Sequence, residues 1–166
     1  MADAKIPPRP VALQGVTTRE KTPLGTAFVT INYANGDPKD PFEVFVRLGK
    51  AGSDLEADAE GMGRLISLIL RLPSPMTRHE RLKEIIDQLE HIGGSRSAGF
   101  GPERLRSMPD GIARALGRYL ELQSGDRPPI VENDDKITKQ AALPAPQSGE
   151  DFCHNCKQAS LITQQG

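Results

Sequence analysis

Apolar and polar positions alternate from Gly25 to Tyr33, with Ala27, Val29, Ile31 and Tyr33 on one side and Thr26, Phe28, Thr30 and Asn32 on the other. A period of two sends successive side chains to opposite faces, so the segment predicts a half-buried β-strand. Phe42, Val44, Val46 and Leu48 repeat the pattern and predict a second strand. Between the two, Asn35-Gly36-Asp37-Pro38 suits positive φ at the Asn-Gly pair, and its extra residues predict a loop longer than a two-residue hairpin. Val11, Leu13 and Thr17 would continue the sheet as a third strand from Val11 to about Arg19, with Gly15 arguing against it.

After Gly49-Lys50-Ala51-Gly52 the period changes to 3.6, and Leu55, Ala59, Met62, Ile66 and Ile69 form one helical stripe. Ser53 is its N-cap, Glu56 is placed to return a bond to the cap amide, and Asp54 and Asp58 suit the positive helix end. Pro73 and Pro75 stop it. Thr77 and Glu80 repeat the capping box for a second helix, whose stripe is Leu82, Ile85, Ile86 and Leu89 and whose close is Gly93-Gly94. Ser107 caps a third, with Pro109 in its first turn, Ile112, Leu116, Tyr119 and Leu120 facing inward, and an end near Gln123. Strands followed by helices predict an α+β fold: a small antiparallel sheet with about three helices on one face. There is no internal repeat.

The flanks differ in composition. Residues 1–10 carry Pro7, Pro8 and Pro10 and read as a flexible arm, leaving 11–123 as the folded domain. From 124 to 151 the chain holds Pro128-Pro129, the acidic run Glu132 to Asp135 and Leu143-Pro144-Ala145-Pro146, without a periodicity that buries a face. It reads as a disordered linker spanning on the order of 30 Å. Residues 152–166 form a flexible C-terminal tail carrying a C-x-x-C motif.

Length and composition narrow the function classes. A chain of 166 residues accommodates one real core plus appendages. A net charge of −1 gives no electrostatic reason to expect nucleic acid. No run approaches the ~18 apolar residues that span a membrane, and Met1 to Pro8 lack the apolar stretch of a signal peptide, so the cytoplasm is the default compartment. Hydrolase, Walker and dinucleotide fingerprints are absent, and His79 and His91 fall at helix ends, where structural roles suit them.

Chemistry concentrates in Cys153-His154-Asn155-Cys156. The spacing lets Cys153 and Cys156 exchange with a disulfide or bind one metal ion. A structural zinc site needs four ligands, and Lys157 to Gly166 contain no Cys, His, Asp or Glu. Zinc would therefore need a second chain, making a homo-oligomer, or His79 or His91. Redox dithiol, metal half-site and inactive pair all stay open. A weaker candidate is anion binding at the helix start, by Arg47, Lys50, Gly52 and Ser53, joined by Arg96 from the glycine-rich stretch Gly93 to Gly101.

Several segments in order resemble a known family: Thr22 to Asn32, Pro41 to Val46, Gly49-Lys50-Ala51-Gly52-Ser53, Gly63 to Leu68, Gln88-Leu89 with Ile92-Gly93-Gly94, and Ser107-Met108-Pro109-Asp110. They are similar to the TSCPD domain, found in the C-terminal extension of adenosylcobalamin-dependent (class II) ribonucleotide reductases, over about residues 10 to 122. The tail from Cys153 to Leu161-Ile162 resembles the first part of that extension's cysteine-rich end. Met108 stands where the name-giving motif has cysteine, and Ser95 to Ser97 supply no thiol. Two cysteines are too few for a radical cysteine plus a reducing pair, so the resemblance does not imply the catalytic barrel. It implies a noncatalytic accessory module docking on the catalytic ribonucleotide reductase polypeptide, which holds the adenosylcobalamin. Cys153 and Cys156 would relay electrons from a thioredoxin-like reductant. The alternatives are a stand-alone regulatory protein recognising a protein partner or phosphate ligand, and a zinc-dependent assembly of half-sites.

Overall fold

In the computed structural model, which describes residues 5–124, three consecutive strands form an antiparallel sheet in the order β1-β2-β3. They are β1 (Gln14–Thr22), β2 (Gly25–Tyr33) and β3 (Pro41–Arg47). Three helices follow: α1 (Asp54–Arg71), α2 (Arg78–Leu89) and α3 (Met108–Ser124), with a short 3-10 turn at Gly101–Glu103 before α3. The α+β class and its one-sided helical layer agree with the hydrophobic pattern.

The alternation decides which face the helices cover. Ala27, Val29 and Ile31 of β2 and Phe42, Val44 and Val46 of β3 are buried, and Leu48 just beyond β3 joins them. α1 packs on β3, α3 on β1 and β2, and α2 mainly on α3. Leu70, Leu82, Ile112 and Leu116 are fully enclosed, each withdrawing from water a side chain that contributes about 1.5–3 kcal/mol. Tyr119 is buried too and donates its hydroxyl to Pro38 O at 2.5 Å, tying α3 to the β2–β3 loop.

Loop chemistry fixes the sheet corners. Asn35 and Gly36 both take positive φ, 56° and 68°, and Asp37 N–H closes the turn on Ala34 O at 2.9 Å. A second turn, Asp40 N–H to Asp37 O at 2.9 Å, completes the longer loop, and Ala34 N–H closes it on Asp40 O at 2.9 Å.

Three sequence expectations shift in register. The first strand starts and ends three residues later than expected: Val11 is fully exposed, and β1 instead pairs along its whole length with β2, from Gln14↔Tyr33 to Thr22↔Gly25. Gly15 does not break it, because the absent side chain makes room for Asn32, whose Oδ1 lies 1.9 Å from where a Cβ would be. In α1 the inward residues are Ala59, Gly63, Ile66, Ser67 and Leu70, while Ile69 is exposed. Small residues face β3, so the helix turns to let its backbone approach the strand. α2 ends at Leu89, before the glycines, because His91 itself adopts φ 65° and makes the turn.

Candidate functional site

The residues singled out at the start of α1 converge on one carboxylate. Ser53 caps the helix, its Oγ accepting the Glu56 N–H at 3.3 Å. Glu56 reaches back to Gly52 N–H at 2.9 Å rather than to the cap amide, whose N–H bonds Lys50 O. Arg47 from β3 lies 2.6 Å from the same carboxylate. Glu56 thus occupies the position at this helix end that an external anion would take. Lys50 is exposed beside the loop, and Arg96 belongs to the separate segment between α2 and α3. Cys153 and Cys156, with the linker and tail, lie outside the described residues.

Ser107-Met108-Pro109-Asp110 forms a structural junction. Ser107 Oγ accepts the Asp110 N–H at 3.2 Å and caps α3. The buried Asp110 carboxylate accepts the His91 N–H at 2.9 Å and the Arg106 N–H at 2.8 Å, binding the end of α2, the following segment and the start of α3 together. Gly94 packs where a Cβ would stand 3.1 Å from Arg106 O. Met108 is buried in the hydrophobic core, so the position at which the resemblance leads one to expect a thiol holds a packing side chain. Periodicity could not reveal that Asp110 serves two backbone amides; its place three residues after a capping serine was the only signal.

Beside this junction lies a charged cleft of about 780 Å³. Arg104, Arg106, Arg114 and Arg118 line it together with Glu90 and Glu103. Arg114 pairs with Glu103 at 3.0 Å, and Arg118 with the buried Glu20 at 2.9 Å. Desolvation raises the Glu20 carboxyl above its ordinary value against the opposing charges of Arg118 and Arg114. On α2's first turn His79 is held below its usual value by desolvation and by the charges of Lys83 and Lys39, which favours the neutral ring. Among the described residues no three His, Cys, Asp or Glu side chains are grouped to hold a metal ion.

A second concavity is apolar. α1 and α2 diverge around a groove of about 490 Å³ lined by Met62, Leu65, Ile69, Met76, Ile85 and Leu89. Leu65 is 61% exposed and Ile69 42%, although both sit on a helix whose opposite face is core. The groove's end is fixed by Arg81, whose Nη1 donates to Ile69 O at 2.8 Å and to Leu72 O, satisfying carbonyls at the close of α1.

Fold and site together define a small α+β domain, with an apolar groove on one side and a charged cleft on another. The TSCPD domain family model matches residues 3–120, and the chain belongs to that family. No curated protein and no solved structure matches it. Among the described residues no helix is long and apolar enough to cross a membrane.

Proposed function

We propose that the chain is a noncatalytic accessory module of an adenosylcobalamin-dependent ribonucleotide reductase. The folded domain docks on the catalytic polypeptide, which carries the adenosylcobalamin, and Cys153 and Cys156 relay electrons to its active-site disulfide. Membership of the TSCPD family supports the assignment, and the exposed α1–α2 groove is the observation that carries docking. An amphipathic helix of the partner laid into such a groove buries Leu65 and Ile69 without rearranging the core. In the relay, one tail thiolate attacks the partner's disulfide to give a mixed disulfide, which the second thiolate resolves. Two electrons and two protons pass to the partner, and a thioredoxin-like dithiol then reduces the tail disulfide.

Mixing the chain with the catalytic polypeptide and following thioredoxin-dependent turnover tests both halves. Leu65→Glu with Ile69→Glu is expected to abolish association, and Cys153→Ser with Cys156→Ser to keep association but lose turnover. Unchanged turnover in the cysteine variant removes the relay. The regulatory alternative rests on the arginine-lined cleft; partner binding and full function after truncation behind Gln123 would favour it.

A further inference from the structure

The sheet face turned away from the helices carries two phenylalanines where the alternation reserves polar positions. Phe28 on β2 and Phe45 on β3 are 47% and 48% exposed. Strand register sets Phe28 directly between Arg19 of β1 and Arg47 of β3, and Thr30 between Thr17 and Phe45. The two rings are therefore diagonal neighbours, whose backbone positions stand about 7–8 Å apart, within reach of aromatic side chains. About half of each residue is covered by its surroundings, which leaves the other half of each open to a ligand.

Charge on this face is segregated. Neither Arg19 nor Lys21 forms an ion pair among the described residues, and Arg47 and Arg64 are mostly exposed even within their pairs to Glu56 and Glu60. The Arg64–Glu60 pair is exposed on both sides and contributes little, so a phosphate can displace it, while Arg47 keeps most of its side chain open to solvent as it pairs with the buried Glu56. A cleft of about 750 Å³ runs beside Phe45, lined by Arg9, Arg47, Arg64 and Arg71 against the two carboxylates Glu43 and Glu60. The one carboxylate among the outward strand positions, Glu43, is buried beneath Arg9 and Asn32. The chain's net charge of −1 averages this asymmetry away.

We propose that this face binds single-stranded nucleic acid, with bases stacked on Phe28 and Phe45 and phosphates held by Arg19, Lys21, Arg47 and Arg64. Aromatic rings on an open sheet bordered by cations suit unpaired bases, whereas a duplex keeps its base faces hidden. Recognition is tolerant of sequence, because neither ring carries a hydrogen-bonding group and the Thr17 and Thr30 hydroxyls bond each other at 2.8 Å. The site is separate from the α1–α2 groove and independent of the docking reading.

The test is fluorescence anisotropy of the full chain with a labelled oligothymidylate of ~12 nucleotides and with a duplex of equal length, across a salt series. The single strand is expected to bind more tightly than the duplex and to weaken as salt rises. Phe28→Ala with Phe45→Ala should cost at least about tenfold in affinity. Arg19→Gln with Lys21→Gln, which leaves both rings in place, should lower the log–log salt slope by about 1.4. Circular dichroism verifies that the variants fold. The proposal is overturned by no anisotropy change up to ~200 µM protein at ~50 mM salt, by wild-type affinity in the folded phenylalanine variant, or by binding to anionic vesicles without binding to the oligonucleotide.

Discussion

The hydroxyl of Ser67 in α1 lies against the main chain of Val44 in β3, accepting its N–H at 2.8 Å and standing 3.0 Å from its carbonyl oxygen. One turn earlier, Gly63 lets the helix come so close that a Cβ there would be 3.1 Å from both Val44 O and Val46 N. A helix thereby covers the outer edge of a strand that would otherwise present unpaired backbone groups. The motif Gly63-Arg64-Leu65-Ile66-Ser67 thus joins two jobs: Gly63 and Ser67 seal the sheet, and Leu65 on the opposite side opens into the apolar groove.

Ser67→Ala should cost about 1–3 kcal/mol, because it strands the buried Val44 N–H without a partner. Gly63→Ala should destabilise by a similar amount through overpacking against β3, about 1–3 kcal/mol. Urea unfolding of both variants measures this. A Ser67→Ala midpoint equal to that of the wild type would mean that water reaches the Val44 amide and that the edge is not sealed.

Asp110→Asn keeps the shape of the junction but leaves one acceptor oxygen for two amides. The expected loss is about 1–3 kcal/mol, with one of the His91 and Arg106 N–H groups left unpaired. Amide hydrogen exchange should accelerate at one or both of these positions and at the start of α3, while exchange in β2 stays slow. Uniform acceleration across the fold would show instead that Asp110 acts only on global stability.

The sheet and the helix starts were legible because each is written locally. Ala27, Val29 and Ile31 needed only a period of two, and Thr77 with Glu80 forms the full capping box its spacing announced. What was not legible depends on contacts between distant segments. Ile69 looks like a core residue by periodicity, yet the close approach of Gly63 and Ser67 to β3 rotates it outward and brings Leu70 in. Gly15 looked like a strand breaker, and only its partner Asn32 explains it. At the candidate sites, Phe28 stood visibly among polar positions of its strand, but its flanking by Arg19 and Arg47 follows from register alone. Glu56 was legible as a capping residue, but its meeting with Arg47 required the strand and helix to be set side by side.

Gly15→Ala tests the sheet's outer corner. The new Cβ would sit 1.9 Å from Asn32 Oδ1 and 2.8 Å from Ile31 O, so Asn32 must leave its hydrogen bond to Glu43 and β1 must also shift. A loss of about 1–3 kcal/mol is expected from overpacking. In an Asn32→Ala background only the Ile31 clash remains, so the cost of Gly15→Ala should fall but not vanish. Thermal unfolding of the four proteins in this double-mutant cycle measures the coupling. Strict additivity would dissociate Gly15 from Asn32.

Glu43 sets an acid limit to stability. Burial disfavours its charge, but the hydrogen bonds from Arg9 and Asn32 and the positive charges of Arg9 and Arg71 outweigh that and hold the carboxyl below its ordinary value. Arg9 contributes as a fork, with both contacts to Glu43 at 2.8 Å. A carboxyl depressed in the folded state stabilises the fold above its unfolded pKa, about 4.3, and loses that contribution as pH falls through the folded value. At neutral pH the contribution is complete. Glu43→Gln has nothing to titrate at this position, so its deficit in melting temperature should be largest near pH ~7 and shrink towards pH ~3. Glu20, whose raised pKa acts with the opposite sign, is present in both proteins and cancels from the difference. Calorimetry across this range reads the result, and a deficit that stays constant with pH would assign the acid response to other carboxylates.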